Sequence, residues 1–203
     1  MQLLHLDSSV LGTNSVSRAL SAEIVARQIA LHPEIKVVRR DLAADTALHL
    51  SGAHLAAWQG GSVEDAHLGA DLAKGSAYID ELFAADIIVI GAPMYNFSIP
   101  SQLKAWIDRV VVAGKTFTYG PNGAESLLPK NKKVLIASSR GGVYVKGTPA
   151  AALEHHETYL TGVLSFIGLS DVTIVRAEGI AFGAEAREAA MTQARRHIAA
   201  LAA

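Results

Sequence analysis

The 203-residue sequence contains no cysteine, which excludes disulfides, thiolate nucleophiles and cysteine-based zinc sites together. Charge is also scarce, since only 18% of the residues are charged and the formal net charge is −1. The sequence shows no stripe of lysine and arginine, so we expect no nucleic-acid partner. No apolar run approaches the ~20 residues of a membrane-spanning helix, so we expect no membrane partner either.

What remains is the composition of a globular protein. Half of the residues are hydrophobic, and the length suits one large domain that covers residues 1–203. The N-terminus lacks the basic region and the cleavage site of a secretory signal, so we expect a cytoplasmic protein. We interpret the small basic cluster of Lys130, Lys132 and Lys133 as the solvated approach to a strand.

Five short runs rich in Val, Ile and Leu divide the chain. They are Leu3–Leu6, Ile35–Arg39, Ile87–Ile90, Val134–Ala137 and Val172–Val175. Such runs are typical of strands that are covered on both faces. Because helical patterns lie between them, the sequence predicts an α/β fold. We expect a doubly wound, five-stranded parallel sheet in the order 2-1-3-4-5, with helices on both faces.

The helical patterns have recognisable ends. One begins after Ser15, and another begins after Ser98, which we expect to be its cap, with Pro100 in the first turn. A third ends at Gly168, and a fourth fills about residues 184–201. Two longer connections, residues 41–63 and 113–131, interrupt the alternation. Connections of this length are usually functional or interface-forming.

Three polar loops follow strands 1, 3 and 4 of this predicted sheet. The first loop runs from Ser8 to Ser17, the second holds Pro93–Phe97, and the third holds Ser139–Gly142. Parallel strands end at one edge of a sheet, and the order 2-1-3-4-5 places the switch point between strands 1 and 3. Open α/β sheets bind ligands at that point, so the sequence predicts a site for a flat ligand there.

The first loop is rich in hydroxyl groups and leads into a helix. A helix N-terminus offers free N–H groups and a dipole that favours an anion, so we interpret this loop as a phosphate site. The alternative is that Ser15 only caps the helix. The loop lacks the G-x-G-x-x-G spacing that brings the backbone against a dinucleotide pyrophosphate.

The second and third loops suit a planar ring. Tyr95 and Phe97 can pack against the ring, and Asn96 can bond its heteroatoms. The alternative is a hydrophobic plug in which Asn96 tolerates a left-handed turn. Gly141 and Gly142 let the backbone approach a planar ligand because they lack a Cβ, although an ordinary turn would also explain them.

Other chemistries find no support in the sequence. His155 and His156 are adjacent, so their side chains diverge on a helix and cannot readily share a metal ion. We see no Ser-His-Asp arrangement and no G-x-S-x-G elbow. Gly114-Lys115-Thr116 follows a helix and lacks the earlier glycine of a P-loop. Only Asp7 lies where a phospho-acceptor receiver domain needs an acidic cluster for Mg²⁺.

The second loop carries a more specific signal. Ala92-Pro93-Met94-Tyr95-Asn96-Phe97, supported by Ser139-Arg140-Gly141-Gly142, resembles the motifs of FMN-dependent NADH azoreductases, a branch of the flavodoxin-like NAD(P)H:quinone oxidoreductases. The resemblance covers nearly the whole chain. It implies a flavodoxin-like fold, non-covalent FMN, NADH as the electron donor, and two-electron ping-pong reduction of a quinone or azo compound. It also implies a homodimer in which the partner subunit helps to wall the cavity.

The resemblance assigns residues as well. The family's FMN contacts fall on Ser9, Ser15, Val16, Ser17, Met94, Tyr95, Asn96, Phe97, Ser139, Arg140, Gly141 and Gly142. The first four are expected at the phosphate, where only the N–H of Val16 would matter, and the others are expected at the ring. Tyr119, together with Phe117, is expected to form a substrate wall. No catalytic side chain and no metal are implied, because the flavin carries the chemistry.

A flavodoxin-type electron carrier, without a small-molecule substrate of its own, is the alternative. Such carriers tend to be shorter and more acidic, so the net charge of −1 and the two long connections favour an enzyme. The sequence leaves open the physiological acceptor, the choice between NADH and NADPH, and the partner residues that line the cavity.

Overall fold

The computed structural model describes residues 1–121 and 123–202. Its strands are β1 (Gln2–Asp7), β2 (Lys36–Asp41), β3 (Ile87–Pro93), β4 (Phe117–Gly120), β5 (Gly123–Ser126), β6 (Lys133–Ser139) and β7 (Asp171–Ala177). β4 and β5 form an antiparallel hairpin, and the other strands form a parallel sheet in the order β2-β1-β3-β6-β7. With the hairpin set aside, this is the predicted order 2-1-3-4-5.

Helices connect the strands of the parallel sheet. They are α1 (Val16–Leu31), α2 (Gly52–Trp58), α3 (Ala66–Ala84), α4 (Ser101–Val110), α5 (Glu157–Phe166) and α6 (Ala184–Ala199). Short 3₁₀ turns lie at Gly12–Asn14 and Ala151–Leu153. Among the described residues, no helix is both long and apolar enough to cross a membrane.

The sheet has a hydrophobic core on each face. Successive side chains of a strand point to opposite faces, and β1 shows the result. Leu4 and Leu6 belong to the cluster that contains residues of α3, α4 and α5, whereas Leu3 belongs to the cluster that contains residues of α1 and α6. On β3, Ile88 and Val89 divide between the same two clusters. Helices therefore cover both faces, as predicted.

The strand register places the carboxyl ends of β1, β3 and β6 next to one another. Asp7 of β1 pairs with Gly91 of β3, and Pro93 of β3 pairs with Ser139 of β6. The loops that follow these strands therefore begin side by side at the carboxyl edge. This confirms that the three polar loops start from neighbouring strands.

Three features differ from the sequence analysis. First, α4 begins at Ser101 and not directly after Ser98, because Ser98 closes a tight turn and its hydroxyl donates to the carbonyl of His155. Second, α2 and α3 lie between residues 41 and 86, where no helix was assigned. Third, the connection 113–131 contains the β4–β5 hairpin.

Lys132 also differs from its predicted role. It is only 7% exposed, and its ammonium group donates to the carbonyls of Phe83 and Ala85 at the end of α3. The last carbonyls of a helix lack partners within the helix, so a buried cation there satisfies them. Lys132 therefore ties the entry of β6 to α3, and the prediction that it is solvated was wrong.

Candidate functional site

The first loop forms a cup of polar groups at the start of α1. Ser15 caps this helix, since its hydroxyl accepts the N–H of Arg18 at 3.2 Å, and the hydroxyls of Ser15 and Ser17 lie 3.1 Å apart. The side chain of Val16 is buried in the core. The N–H groups of Val16 and Ser17 donate to no described residue. Hydroxyls and free N–H groups therefore converge at the positive end of the helix dipole, an arrangement that suits an anion.

Ser9 links the first loop to the second. Its hydroxyl lies 2.9 Å from the hydroxyl of Tyr95 and accepts the N–H of Leu11 at 3.3 Å. The Tyr95 hydroxyl also accepts the N–H of Val10 at 3.2 Å. The phenol of Tyr95 therefore points toward the first loop, so the predicted packing of this residue against a ring is limited to its aromatic body.

The second loop is a tight turn with an unusual backbone. Tyr95 and Ser98 exchange two backbone hydrogen bonds, at 2.9 and 3.1 Å. Between them, Asn96 and Phe97 have φ angles of 48° and 71°. Two consecutive positive φ angles define a type I′ turn, and asparagine tolerates this conformation, which the alternative interpretation of this loop also expects of Asn96.

Phe97 is the less tolerant residue of this turn. An aromatic residue at positive φ carries strain of about 1–3 kcal/mol, which surrounding contacts must offset. Phe97 is 43% exposed and meets the ring of Tyr144 edge-on, with 6.3 Å between centroids. The N–H groups of Asn96 and Phe97 donate to no described residue. The turn therefore presents donors and an exposed aromatic surface together.

The third loop rests on a segment that the sequence analysis did not assign to the site. The carbonyls of Arg140, Gly141 and Gly142 accept the N–H groups of Ile180, Ala181 and Gly179 respectively, at 3.0–3.3 Å. This fourth loop follows β7 and supports the third loop from behind. The N–H groups of Gly141 and Gly142 donate to no described residue, so they are available to a ligand.

The side chain of Arg140 is buried, so a ligand contact predicted for this residue falls on its backbone. The residue is 2% exposed, and its guanidinium lies 2.7 Å from Glu178 and 3.4 Å from Glu157. A guanidinium held in a buried ion cluster cannot also bind a ligand in the opening. Only the backbone of Arg140 remains available, and the side chain anchors the third loop to α5 and to the fourth loop.

The two residues predicted to form the substrate wall, Phe117 and Tyr119, have different environments. Tyr119 is 73% exposed, whereas Phe117 is 6% exposed and packs against Phe166 with ring centroids 4.8 Å apart. Phe117 therefore belongs to the core, because aromatic side chains have large apolar surfaces whose burial is favourable. Tyr119 packs edge-on against Phe117 and is the one of the two that can reach a substrate.

Two titratable groups beneath the loops have strongly displaced pKa values. Burial raises the pKa of Asp7, but hydrogen bonds from His5 and Arg39 outweigh burial and lower it to about 2. Burial lowers the pKa of His156 to about 4. Both side chains are buried, so they support the loops from below. The position of Asp7 also explains why residue 91 is a glycine, because a Cβ added there would lie 2.9 Å from the Asp7 carboxylate.

Comparison with known proteins places this arrangement in a family. Residues 1–202 match a family described by its flavodoxin-like fold. The chain is 51% identical, over the whole length of both proteins, to an FMN-dependent NADH:quinone oxidoreductase of a Bradyrhizobium species. It is 55% identical to one from Methylorubrum extorquens, with 99% of this chain and 98% of the relative aligned. The chain belongs to the family of flavodoxin-like FMN-dependent NADH:quinone oxidoreductases.

Solved structures agree with the family. An azoreductase from Bacillus anthracis superposes with a TM-score of 0.86 at 27% identity, covering 98% of this chain and 97% of the other. The resemblance to azoreductases and quinone oxidoreductases noted in the sequence is therefore confirmed. The site residues themselves remain an assignment from the sequence and from the geometry of the loops.

Proposed function

We propose that this chain is an FMN-dependent oxidoreductase that uses NADH to reduce quinones and azo compounds. One observation carries the proposal: three polar loops begin side by side at the carboxyl edge of the sheet, two of them at its switch point, in a chain that aligns end to end with an FMN-dependent NADH:quinone oxidoreductase. Function depends on the site and not on the fold alone, so the fit of each loop to FMN matters.

The first loop fits the phosphate of FMN. The free N–H groups of Val16 and Ser17 and the hydroxyls of Ser15 and Ser17 lie at the N-terminus of a 16-residue helix. A phosphate monoester accepts several such hydrogen bonds, and hydrogen bonds to a charged group are stronger than neutral ones. The buried side chain of Val16 fits its expected role, in which only the N–H takes part.

The second and third loops fit the isoalloxazine ring. Free N–H groups at residues 96, 97, 141 and 142 match the carbonyl oxygens and nitrogens of the ring. Gly141 and Gly142 have no side chain between their backbone and a planar ligand, and Phe97 offers an apolar surface beside it. We assign Met94 and Ser139 to the same end because the Met94 N–H donates to the Ser139 carbonyl at 2.8 Å.

When bound, FMN supplies two-electron transfer between NADH and the acceptor. The residues of the chain bind and orient it and leave one opening for both substrates. We therefore expect NADH and the acceptor to use this opening in turn, which gives parallel initial-rate plots. Intersecting plots together with a demonstrated ternary complex would contradict that order.

We also propose a homodimer in which Tyr119 walls the cavity of the other subunit. Phe166, which contacts the hairpin, lies at the end of α5. α5 begins beside the third loop and runs back toward the start of β7, so the hairpin lies near the opposite end of the sheet. Tyr119 is therefore remote from the three loops of its own subunit. A cytoplasmic location and the absence of nucleic-acid and membrane partners remain predictions from composition.

Absorption spectroscopy of the purified protein tests the function. We expect a yellow protein that releases FMN on heating, loses its yellow absorption when NADH is added without oxygen, and recovers it when a quinone follows. Recovery of FAD, or no saturable flavin binding, would contradict the cofactor. Turnover of NADH with a quinone distinguishes the enzyme from the electron carrier, which full-length similarity to named oxidoreductases already disfavours.

A further inference from the structure

We infer that Arg18 is a positioning residue that holds the phosphate loop in shape without touching the phosphate. The inference rests on the proposed function, because it takes the first loop as the phosphate site. Arg18 follows Ser17 directly, and a cation at this place would be the first candidate for a direct phosphate contact. The geometry points to a different role.

The guanidinium of Arg18 is directed at the backbone of Ser9. Its Nε and Nη2 groups donate to the Ser9 carbonyl at 3.0 and 2.7 Å. The backbone N–H of Arg18 donates to the hydroxyl of Ser15 at 3.2 Å. One residue therefore contacts both ends of the loop: its backbone holds Ser15, and its side chain ties Ser9 to the first turn of α1. Ser9 and Ser15 are themselves buried.

Two carboxylates hold the guanidinium in this orientation. Asp41, at the end of β2, accepts from Nη1 at 2.7 Å and from Nη2 at 2.6 Å, in the two-point geometry that arginine favours with carboxylates. Asp7, at the end of β1, lies 3.6 Å from Nη1. The Arg18 side chain is only 14% exposed. Its charge is therefore neutralised on one side while its Nε side faces Ser9.

This arrangement predicts an effect confined to one end of FMN. If Arg18 is lost, the Ser9 carbonyl loses two donors, and the loop is free to open between Ser9 and the N-terminus of α1. The hydroxyls and N–H groups of the loop would then no longer converge. The ring end rests on the second and third loops, to which Arg18 donates no hydrogen bond. Ser9 reaches the second loop only at the Tyr95 hydroxyl, while the turn itself is held by the backbone bonds between Tyr95 and Ser98, so binding of the ring should change little.

Binding of FMN and of riboflavin, which lacks the phosphate, to flavin-free protein tests the inference. We expect Arg18→Gln to weaken FMN by about tenfold or more while riboflavin binding changes by less than about twofold. Arg18→Lys should fall between, because a single ammonium cannot bridge Ser9 and Asp41 as the planar fork does. Arg27→Gln is the matched control, since Arg27 lies on the same helix and also donates to a carbonyl, that of Leu201.

The outcomes separate this inference from the proposed function. Equal losses for FMN and riboflavin in Arg18→Gln, or no loss of FMN, would overturn the positioning role while wild-type protein still binds FMN. Failure of the wild-type protein to bind either flavin would overturn the proposed function and the inference with it. If Arg18→Gln does not fold, Asp41→Asn takes its place. We expect it to weaken FMN binding selectively as well, by a smaller factor.

Discussion

At the scale of single residues, Ser17 offers the cleanest separation between binding and folding. Its hydroxyl is buried and bonds to Ser15, but unlike Ser15 it accepts no backbone N–H of the helix. We expect Ser17→Ala to weaken FMN by about tenfold or more, because hydrogen bonds to a charged group are worth about 1.5–3 kcal/mol. Riboflavin binding should barely change. Fluorescence titration of both flavins measures this, and equal losses would show that the substitution acts through the fold.

His156 should make the fold sensitive to acid. Burial lowers its pKa to about 4 from an ordinary 6.5, so between these values the unfolded chain binds a proton that the folded chain does not. The free energy of unfolding should therefore be unaffected by His156 above pH 6.5 and should fall by roughly 3 kcal/mol as the pH approaches 4. Urea unfolding at several pH values measures this slope.

His156→Leu should flatten the slope. Neither ring nitrogen of His156 has a hydrogen-bond partner of normal geometry among the described residues, so an apolar replacement leaves no new buried group without a partner. His155→Leu is the control, because the His155 side chain is exposed whereas that of His156 is buried. An unchanged slope in His156→Leu would show that other groups cause the acid sensitivity.

The sequence predicted which chemical groups lie at the site better than it predicted what each side chain does there. The serines of the first loop offer hydroxyls and the glycines of the third loop leave the backbone N–H groups open, and both properties follow directly from the residue type. Arg140 and Phe117 are equally visible in the sequence, but their side chains are buried by groups that lie far away along the chain, Glu178 and Phe166. No local pattern records such long-range contacts.

At the scale of elements, the end of α5 shows how a glycine fixes a boundary. Gly168 has a φ of 89°, its N–H bonds to Ser165, and the N–H of Leu169 bonds to Leu164. This is a Schellman motif, and the apolar residues that accompany it are in place, since Leu164 and Leu169 belong to the same buried hydrophobic cluster. The predicted helix end at Gly168 is confirmed.

We expect Gly168→Ala to destabilise the protein by roughly 1–3 kcal/mol, because alanine resists positive φ. Its Cβ would also lie 2.5 Å from the Cβ of Ser126, whose hydroxyl joins the hairpin to the Ile167 carbonyl. Gly162→Ala, on the same helix, should instead stabilise by up to about 1 kcal/mol, since its Cβ would meet open space. Thermal unfolding compares the two, and similar melting temperatures would contradict the strain at residue 168.

The helix α3, which the sequence did not predict, has an identifiable physical cause for being missed. The buried positions of α3 are Asp71, Gly75, Tyr78 and Leu82, which have helical spacing. Two of the four are not apolar, because Asp71 receives the buried Arg109 and Gly75 makes room for it. The apolar stripe that identifies a helix is therefore interrupted. The parallel strands are apolar on both faces and were found for that reason.

At the scale of the whole molecule, the exposed Tyr119 bears on assembly. Sedimentation should give about twice the chain mass of 21.4 kDa. Tyr119→Ala should change KM or kcat for the acceptor while FMN affinity stays nearly constant, because the residue is remote from the three loops of its own subunit. A fully active monomer at assay concentration would contradict the shared wall.

Mixed dimers distinguish a wall supplied by the partner from one supplied by the same subunit. A mixture of Tyr119→Ala and Ser17→Ala subunits, assayed at limiting FMN, contains heterodimers in which the Tyr119→Ala subunit binds FMN normally. If the partner supplies Tyr119, that site is intact, and random pairing restores about a quarter of the wild-type sites. If each subunit walls its own site, every heterodimer site carries one defect. Activity no higher than the average of the two parent proteins would then place the function of Tyr119 within its own subunit.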